Sequence, residues 1–189
     1  DRKEIKDILC YLRVLASPSD EAALLRVINT PPRGIGDASV EKVLTRAVKS
    51  GKPFFATIPD SLQEGDISAK AATAMQTFEQ LIERFRRKFE EQPRQMTNLV
   101  RELIEAVDYN AEIERQYKEP HQQLARQESL DEFINSIELY VEQHQKPDLA
   151  EYLATVALEG KEDEPDKEKQ AQEDAVKLMT LHSAKGLEF

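Results

Sequence analysis

The 189-residue sequence predicts a mainly α protein: a helical bundle of about seven to eight helices, with a tight glycine turn near its start and one C-terminal β-strand. Three observations predict it. Apolar residues recur at helical spacing through most of the chain, and prolines and glycines break the pattern into helix-sized pieces. The composition agrees, with 33% charged residues, only 6 Gly and no Trp, as expected of a bundle whose helices each show one face to water. Residues 175–181, Ala-Val-Lys-Leu-Met-Thr-Leu, alone read as a strand, and a single strand needs a sheet to satisfy its backbone.

In chain order, Ile5, Ile8, Leu9, Leu12 and Leu15 place a helix over 3–15, with Asp1 and Glu4 as a capping pair. Ser17-Pro18 stops it, and Ser19 or Asp20 caps a second helix over 21–28 with Leu24, Leu25 and Ile28 facing a core. Pro31-Pro32 ends that helix, because proline lacks an amide hydrogen and disfavours helical angles in the preceding residue. Asp37 or Ser39 caps a third helix, running to residue 50, with Val40, Val43, Leu44 and Val48 inside. Residues 52–67 read as a loop with one short turn, anchored by Phe54 and Phe55. A long helix over 68–91 follows, with Met75, Phe78, Leu81, Ile82, Phe85 and Phe89 in one stripe and Arg84, Arg86, Arg87 and Lys88 largely outside. Helical spacing resumes from Met96 to Val107 and again over 109–117, where Pro120 closes the pattern. A second long helix over 122–143 turns Leu124, Leu130, Phe133, Ile134, Ile137, Tyr140 and Val141 inward, and Leu149, Tyr152, Leu153 and Val156 define one more. Residues 159–173 are charged and poor in apolar side chains, the composition of a mobile connection.

Charge is distributed unevenly. The net charge of −10 argues on its own against nucleic acid, yet residues 22–59 carry Arg26, Arg33, Lys42, Arg46, Lys49 and Lys52 against Asp37 and Glu41. A polyanion would meet this first third. One cysteine, Cys10, excludes an internal disulfide, suits a reducing cytoplasm and reads as a small buried apolar residue. No apolar run approaches membrane-spanning length, so the expectation is a cytoplasmic chain with no membrane partner. No Cys/His cluster suggests a metal, and no Ser/His/Asp arrangement suggests a nucleophile.

The stretch from Thr30 to Ser39, Thr-Pro-Pro-Arg-Gly-Ile-Gly-Asp-Ala-Ser, concentrates the chemistry. Gly34 and Gly36 permit unusual backbone angles and leave no side chain between backbone and visitor, while the next helix begins with exposed amides at its positive pole. Such a start suits a phosphate oxygen, with Arg33 or Lys42 adding charge, and the expected duplex contacts are Arg33, Gly34, Ile35, Gly36, Ser39 and Lys42. The bland alternative is a packing turn with Ile35 plugging the core. The full register, with apolar positions before Gly34-Ile35-Gly36 and Val40 and Val43 after it, resembles the helix-hairpin-helix element, which grips duplex backbone without reading sequence.

The chain's end, Thr180-Leu181-His182-Ser183-Ala184-Lys185-Gly186-Leu187-Glu188-Phe189, resembles motif V of the UvrD/Rep/PcrA helicases of superfamily 1. Glu4-Ile5-Lys6-Asp7, Tyr11-Leu12-Arg13, Ser17-Pro18-Ser19-Asp20, Arg26-Val27-Ile28-Asn29-Thr30-Pro31 and Arg33-Gly34-Ile35-Gly36 resemble the same family in the same order. The resemblance brackets the chain and is weakest in the helical middle. It implies that residues 1–16 and 174–189 are edges of the second RecA-like motor domain, 2A, and that 17–173 form the helical 2B subdomain inserted in it. That accounts for the orphan strand and implies an excised piece of a longer helicase. It further implies single-stranded DNA near Thr180, His182 and Ser183 and a nucleotide ribose near Glu188, with Lys185 and Gly186 shaping the turn.

No phosphate loop of the Gly-x-x-x-x-Gly-Lys-[Ser/Thr] form is present; Gly51-Lys52 lacks the earlier glycine and precedes Pro53. The piece is thus expected to hydrolyse nothing and to hold no cofactor, ATP and Mg²⁺ belonging to the parent enzyme. The implied function is a duplex-binding, orientation-switching subdomain of an ATP-dependent DNA helicase, acting where duplex meets single strand, with repair or replication proteins as possible partners. The competing reading is an acidic helical module that binds a protein partner or restrains its own motor without touching DNA. A nuclease-helicase of the RecB or AddA type is a third, resting on motif V alone.

Overall fold

A computed structural model describes residues 2–162 of the chain. The motif V residues Thr180, His182, Ser183 and Glu188, and the expected strand at 175–181, lie outside the described residues. Nine α-helices are described: α1 (Lys3–Ala16), α2 (Glu21–Val27), α3 (Asp37–Ser50), α4 (Ile58–Gln63), α5 (Ala69–Glu91), α6 (Met96–Ala106), α7 (Tyr109–Gln116), α8 (Pro120–Gln143) and α9 (Leu149–Glu162). Short 3-10 turns at Phe55–Thr57 and Pro93–Gln95 lead into α4 and α6. None of these helices is long and apolar enough to cross a membrane.

Residues 1–155 form one compact unit, and the chain from Val156 onward a second, of which only the end of α9 is described. In the first unit α1 is the central rod, packing on α2, α5 and α8. Ile8, Tyr11, Leu12 and Val14 are wholly buried along it, joined by Val27, Ile35, Val43, Ile58, Met75, Val100, Leu103 and Ile137 from other parts of the unit. An aromatic seam stitches α1 to α5: Tyr11 meets Phe78 edge-on at 6.2 Å, and Phe78 touches Phe55, which packs on Phe54 at 5.5 Å. Phe54 and Phe55 anchor their segment as expected.

Several expectations are corrected. Arg2, not Asp1, precedes α1, and no side chain caps it; Glu4 is buried and faces Arg126 at 3.4 Å. Asp7 is also buried, held by Lys3, Arg26 and the Tyr109 hydroxyl, so an apolar count alone misjudged this helix's inner face. Leu25 (41% exposed), Val48 (71%) and Leu124 (56%) face solvent rather than the core; Leu25 and Val48 sit one position off the stripes in which Leu24, Val27 and Ala47 are buried. Pro120 opens α8 as its first residue instead of closing α7, a position where its missing amide hydrogen costs nothing. Residues 58–63 are helical, and α9 continues to Glu162, past the start of the expected connection, in keeping with the helix propensity of Glu and Lys. Cys10 is half-buried, and burial pushes its thiol up.

Candidate nucleic-acid interface

The turn between α2 and α3 is built from inside. Asn29 sits just past α2 and its Oδ1 accepts from the backbone amides of Arg33 (2.8 Å) and Ile35 (3.3 Å). One side chain thereby sets the path of the hairpin, as asparagine commonly does in turns. The Thr30–Pro31 peptide is cis, and Gly34 has φ +75°, a left-handed angle that favours glycine. Ile35 is wholly buried and plugs the hairpin into the core, leaving Gly34 and Gly36 exposed on either side.

Arg33 points inward. Its Nη1 donates to the carbonyls of Val27 (3.0 Å), Ile28 (3.3 Å) and Pro31 (3.0 Å), and its Nη2 to the Tyr11 hydroxyl. The guanidinium lies 4.8 Å from the centre of the Phe78 ring. Tyr11 in turn donates to the Thr30 carbonyl. Burial pushes the Tyr11 hydroxyl up to about 12, with the Arg33 charge pulling the other way. The guanidinium is thus engaged as a clamp on the last carbonyls of α2 rather than displayed to a ligand, a departure from the expected outward arginine.

The outer surface is backbone. Gly36 precedes α3 at φ −76° and ψ 145°, and no side chain caps the helix; neither Asp37 nor Ser39 does so. Ser39 and Val40 amides return to the Gly36 carbonyl at 2.9 and 3.2 Å, while the amides of Asp37 and Ala38 have no acceptor among the described residues. Two free donors at a helix's positive pole, beside exposed glycines, form an opening for an anion. Ser39 is half-buried in the same turn. Lys42, one turn on, donates to the Asp66 carbonyl at 2.9 Å, and Arg46 is tied to Asp66 and Glu64, each at 2.8 Å or less.

The structure brings Gly34, Gly36 and Ser39 together at one turn, sets Arg33 and Ile35 inward beneath it, and engages Lys42 with the Asp66 carbonyl. Sequence reasoning missed two contributors. Asn29 carried a signal, an asparagine two residues before a proline pair. Lys70 carried none: it enters from the first turn of α5, its Cε 4.0 Å from where a side chain on Gly34 would begin. No acidic side chain pairs with Lys70 among the described residues.

An uncapped, glycine-bordered helix start with a lysine beside Gly34 suits a phosphate oxygen. Residues 1–189 match the UvrD-like helicase C-terminal domain, and the chain belongs to that family. Its relatives include the ATP-dependent DNA helicase PcrA of Bacillus subtilis, of Staphylococcus epidermidis and of Staphylococcus aureus. Each is 36% identical over 194 residues, which cover 100% of this chain and 25% of the relative. The chain therefore spans about a quarter of the length of these relatives.

Proposed function

We propose that the chain is the 2B-type helical subdomain, with flanking edges of a 2A-type motor domain, of an ATP-dependent DNA helicase, and that its task is to grip duplex DNA through the α2–α3 hairpin. The observation that carries this is the uncapped start of α3 under a hairpin held from within, with Lys70 alongside. The similarity to PcrA over the whole chain supports the helicase context. ATP and Mg²⁺ would act on the remainder of the parent enzyme, since the chain contains no phosphate loop. Thr180, His182 and Ser183 would meet single-stranded DNA there, and Glu188 the nucleotide. Binding through backbone amides and one lysine predicts indifference to sequence and an affinity that falls with salt, by a log-log slope of about 0.9 for the one phosphate that Lys70 neutralises.

Gly36→Asp tests the assignment without disturbing the core. A side chain at Gly36 meets nothing within 4 Å, and its backbone angles suit any residue. Aspartate is a better helix cap than glycine, by a few tenths of a kcal/mol, so the variant should unfold at the same or slightly higher urea concentration. Its carboxylate would occupy the free amides and repel phosphate, so duplex binding, followed by anisotropy of a labelled duplex at low salt, should fall at least tenfold. A variant that binds as the parent does removes the hairpin from the interface.

A further inference from the structure

We propose that the solvent face of α5 is a second phosphate track for duplex nucleic acid, continuous with the hairpin and charged by Arg84 and Arg87. The inference rests on the hairpin reading above and extends it. At 3.6 residues per turn, Ala71, Met75, Phe78, Ile82, Phe85 and Phe89 form the buried side of the helix. Directly opposite run Lys70, Thr73, Thr77, Gln80, Arg84 and Arg87, all exposed and without a carboxylate among them until Glu91 closes the row.

The cations of this helix divide by face. Arg86 lies near Glu83 (3.5 Å) and Glu90 (3.7 Å), and Lys88 is paired with Glu102. Arg84 and Arg87 have no carboxylate partner among the described residues: Arg84 lies over the Phe85 ring at 5.1 Å, and Arg87 reaches only the Glu83 carbonyl, at 3.4 Å. In a chain of net charge −10, Arg13, Arg26, Arg46, Lys52 and Arg115 are each tied to an acid, whereas Lys70, Arg84 and Arg87 share one exposed face of a single helix with no carboxylate partner among the described residues.

Geometry selects the ligand. The row begins at Lys70, against Gly34 of the hairpin, and ends at Arg87, about 26 Å along a straight helix at 1.5 Å per residue. That is about seven to eight steps of duplex at about 3.4 Å each. A duplex held at the hairpin lies beside the start of the row, and a rigid rod of spaced cations suits a rigid polymer of spaced phosphates.

The test uses the full chain, a labelled duplex of about 20 base pairs and a salt titration. Arg84→Gln/Arg87→Gln, two exposed substitutions, should lower duplex affinity at low salt severalfold and flatten the slope of log K against log salt by about 1.8, or about 0.9 for each phosphate no longer neutralised. Arg86→Gln, removing one charge from a paired position, should leave the slope nearly unchanged. The track is overturned if the double variant keeps the parent's slope, if Arg86→Gln flattens it as much per charge removed, or if the double substitution weakens binding of polyglutamate and not of duplex. Gly36→Asp run in parallel separates the two sites. Weaker binding there with an unaffected double variant leaves the hairpin standing without the track; weaker binding in the double variant alone supports the track and removes the hairpin; unchanged binding in both removes both.

Discussion

Arg33 commits its guanidinium to the carbonyls of Val27, Ile28 and Pro31 and to the Tyr11 hydroxyl, so one side chain from the turn and one from α1 close the C-terminal end of α2. This has a titration signature. Burial raises the Tyr11 hydroxyl from its ordinary 10 to about 12. A native-state value above the unfolded one means that the folded chain binds the proton more tightly. The associated stability is complete below pH 10 and disappears as pH rises through 12. Tyr109 is pushed up as well, by burial and then by its bond to Asp7, and adds to the same decline. Urea unfolding at successive pH values should show stability falling between pH 10 and 12, and Tyr11→Phe should make that fall shallower while lowering stability at about pH 8. At this scale Ile35 was legible, because the apolar residue of a Gly-x-Gly turn has little place to go but inward. The direction of Arg33 was not, since it depends on Tyr11 and Phe78, which are distant in the sequence and become neighbours only when α1 and α5 pack.

Among the helices, α2 is short and starts at a single capping side chain. It has seven residues, too few to persist alone. Asp20 caps it by accepting from the Ala23 amide at 3.0 Å, and Arg13 of α1 donates to the same carboxylate at 2.9 Å. The backbone bond first, and Arg13 second among the lowering influences, holds the Asp20 carboxyl below its usual range. Asp20→Ala should therefore cost about 1 kcal/mol in urea unfolding, and amides of α2 should exchange faster than those of α5 in the same variant. The long helices were legible from apolar spacing, as the buried row of α5 attests. The short α4 was not: Ile58 and Leu62 are a single apolar pair, and Pro59 in the first turn is equally at home in a loop. Polar burial also escaped the pattern, for Glu4, Asp7 and Glu112 occupy inner positions only because Arg126, Arg26 and Arg115 reach them.

For the whole chain, membership of the UvrD-like helicase C-terminal domain family was legible because short strings at both ends kept a characteristic order, independently of the helices between. How the middle packs was not, since the partners of α1 are scattered from α2 to α8. Arg2 reaches Ser129 and Glu132, Arg126 reaches Glu4, and Tyr109 donates to Asp7 at 2.6 Å. The bond between Tyr109 and Asp7 joins positions 102 apart. Closing a loop of that length carries an entropy cost of about 4 kcal/mol, which the pairing of α1 with α2 avoids. The neighbouring helices should accordingly pair before the rate-limiting barrier, and the Asp7 junction should form after it. Tyr109→Phe would then accelerate unfolding while leaving the refolding limb of a denaturant-jump series nearly unchanged. A mutation that slowed refolding instead would place the junction in the nucleus. In kinetic terms, the bond between α1 and α7 is a latch that fastens last, and its strength governs how long the assembled bundle lasts more than how quickly it is made.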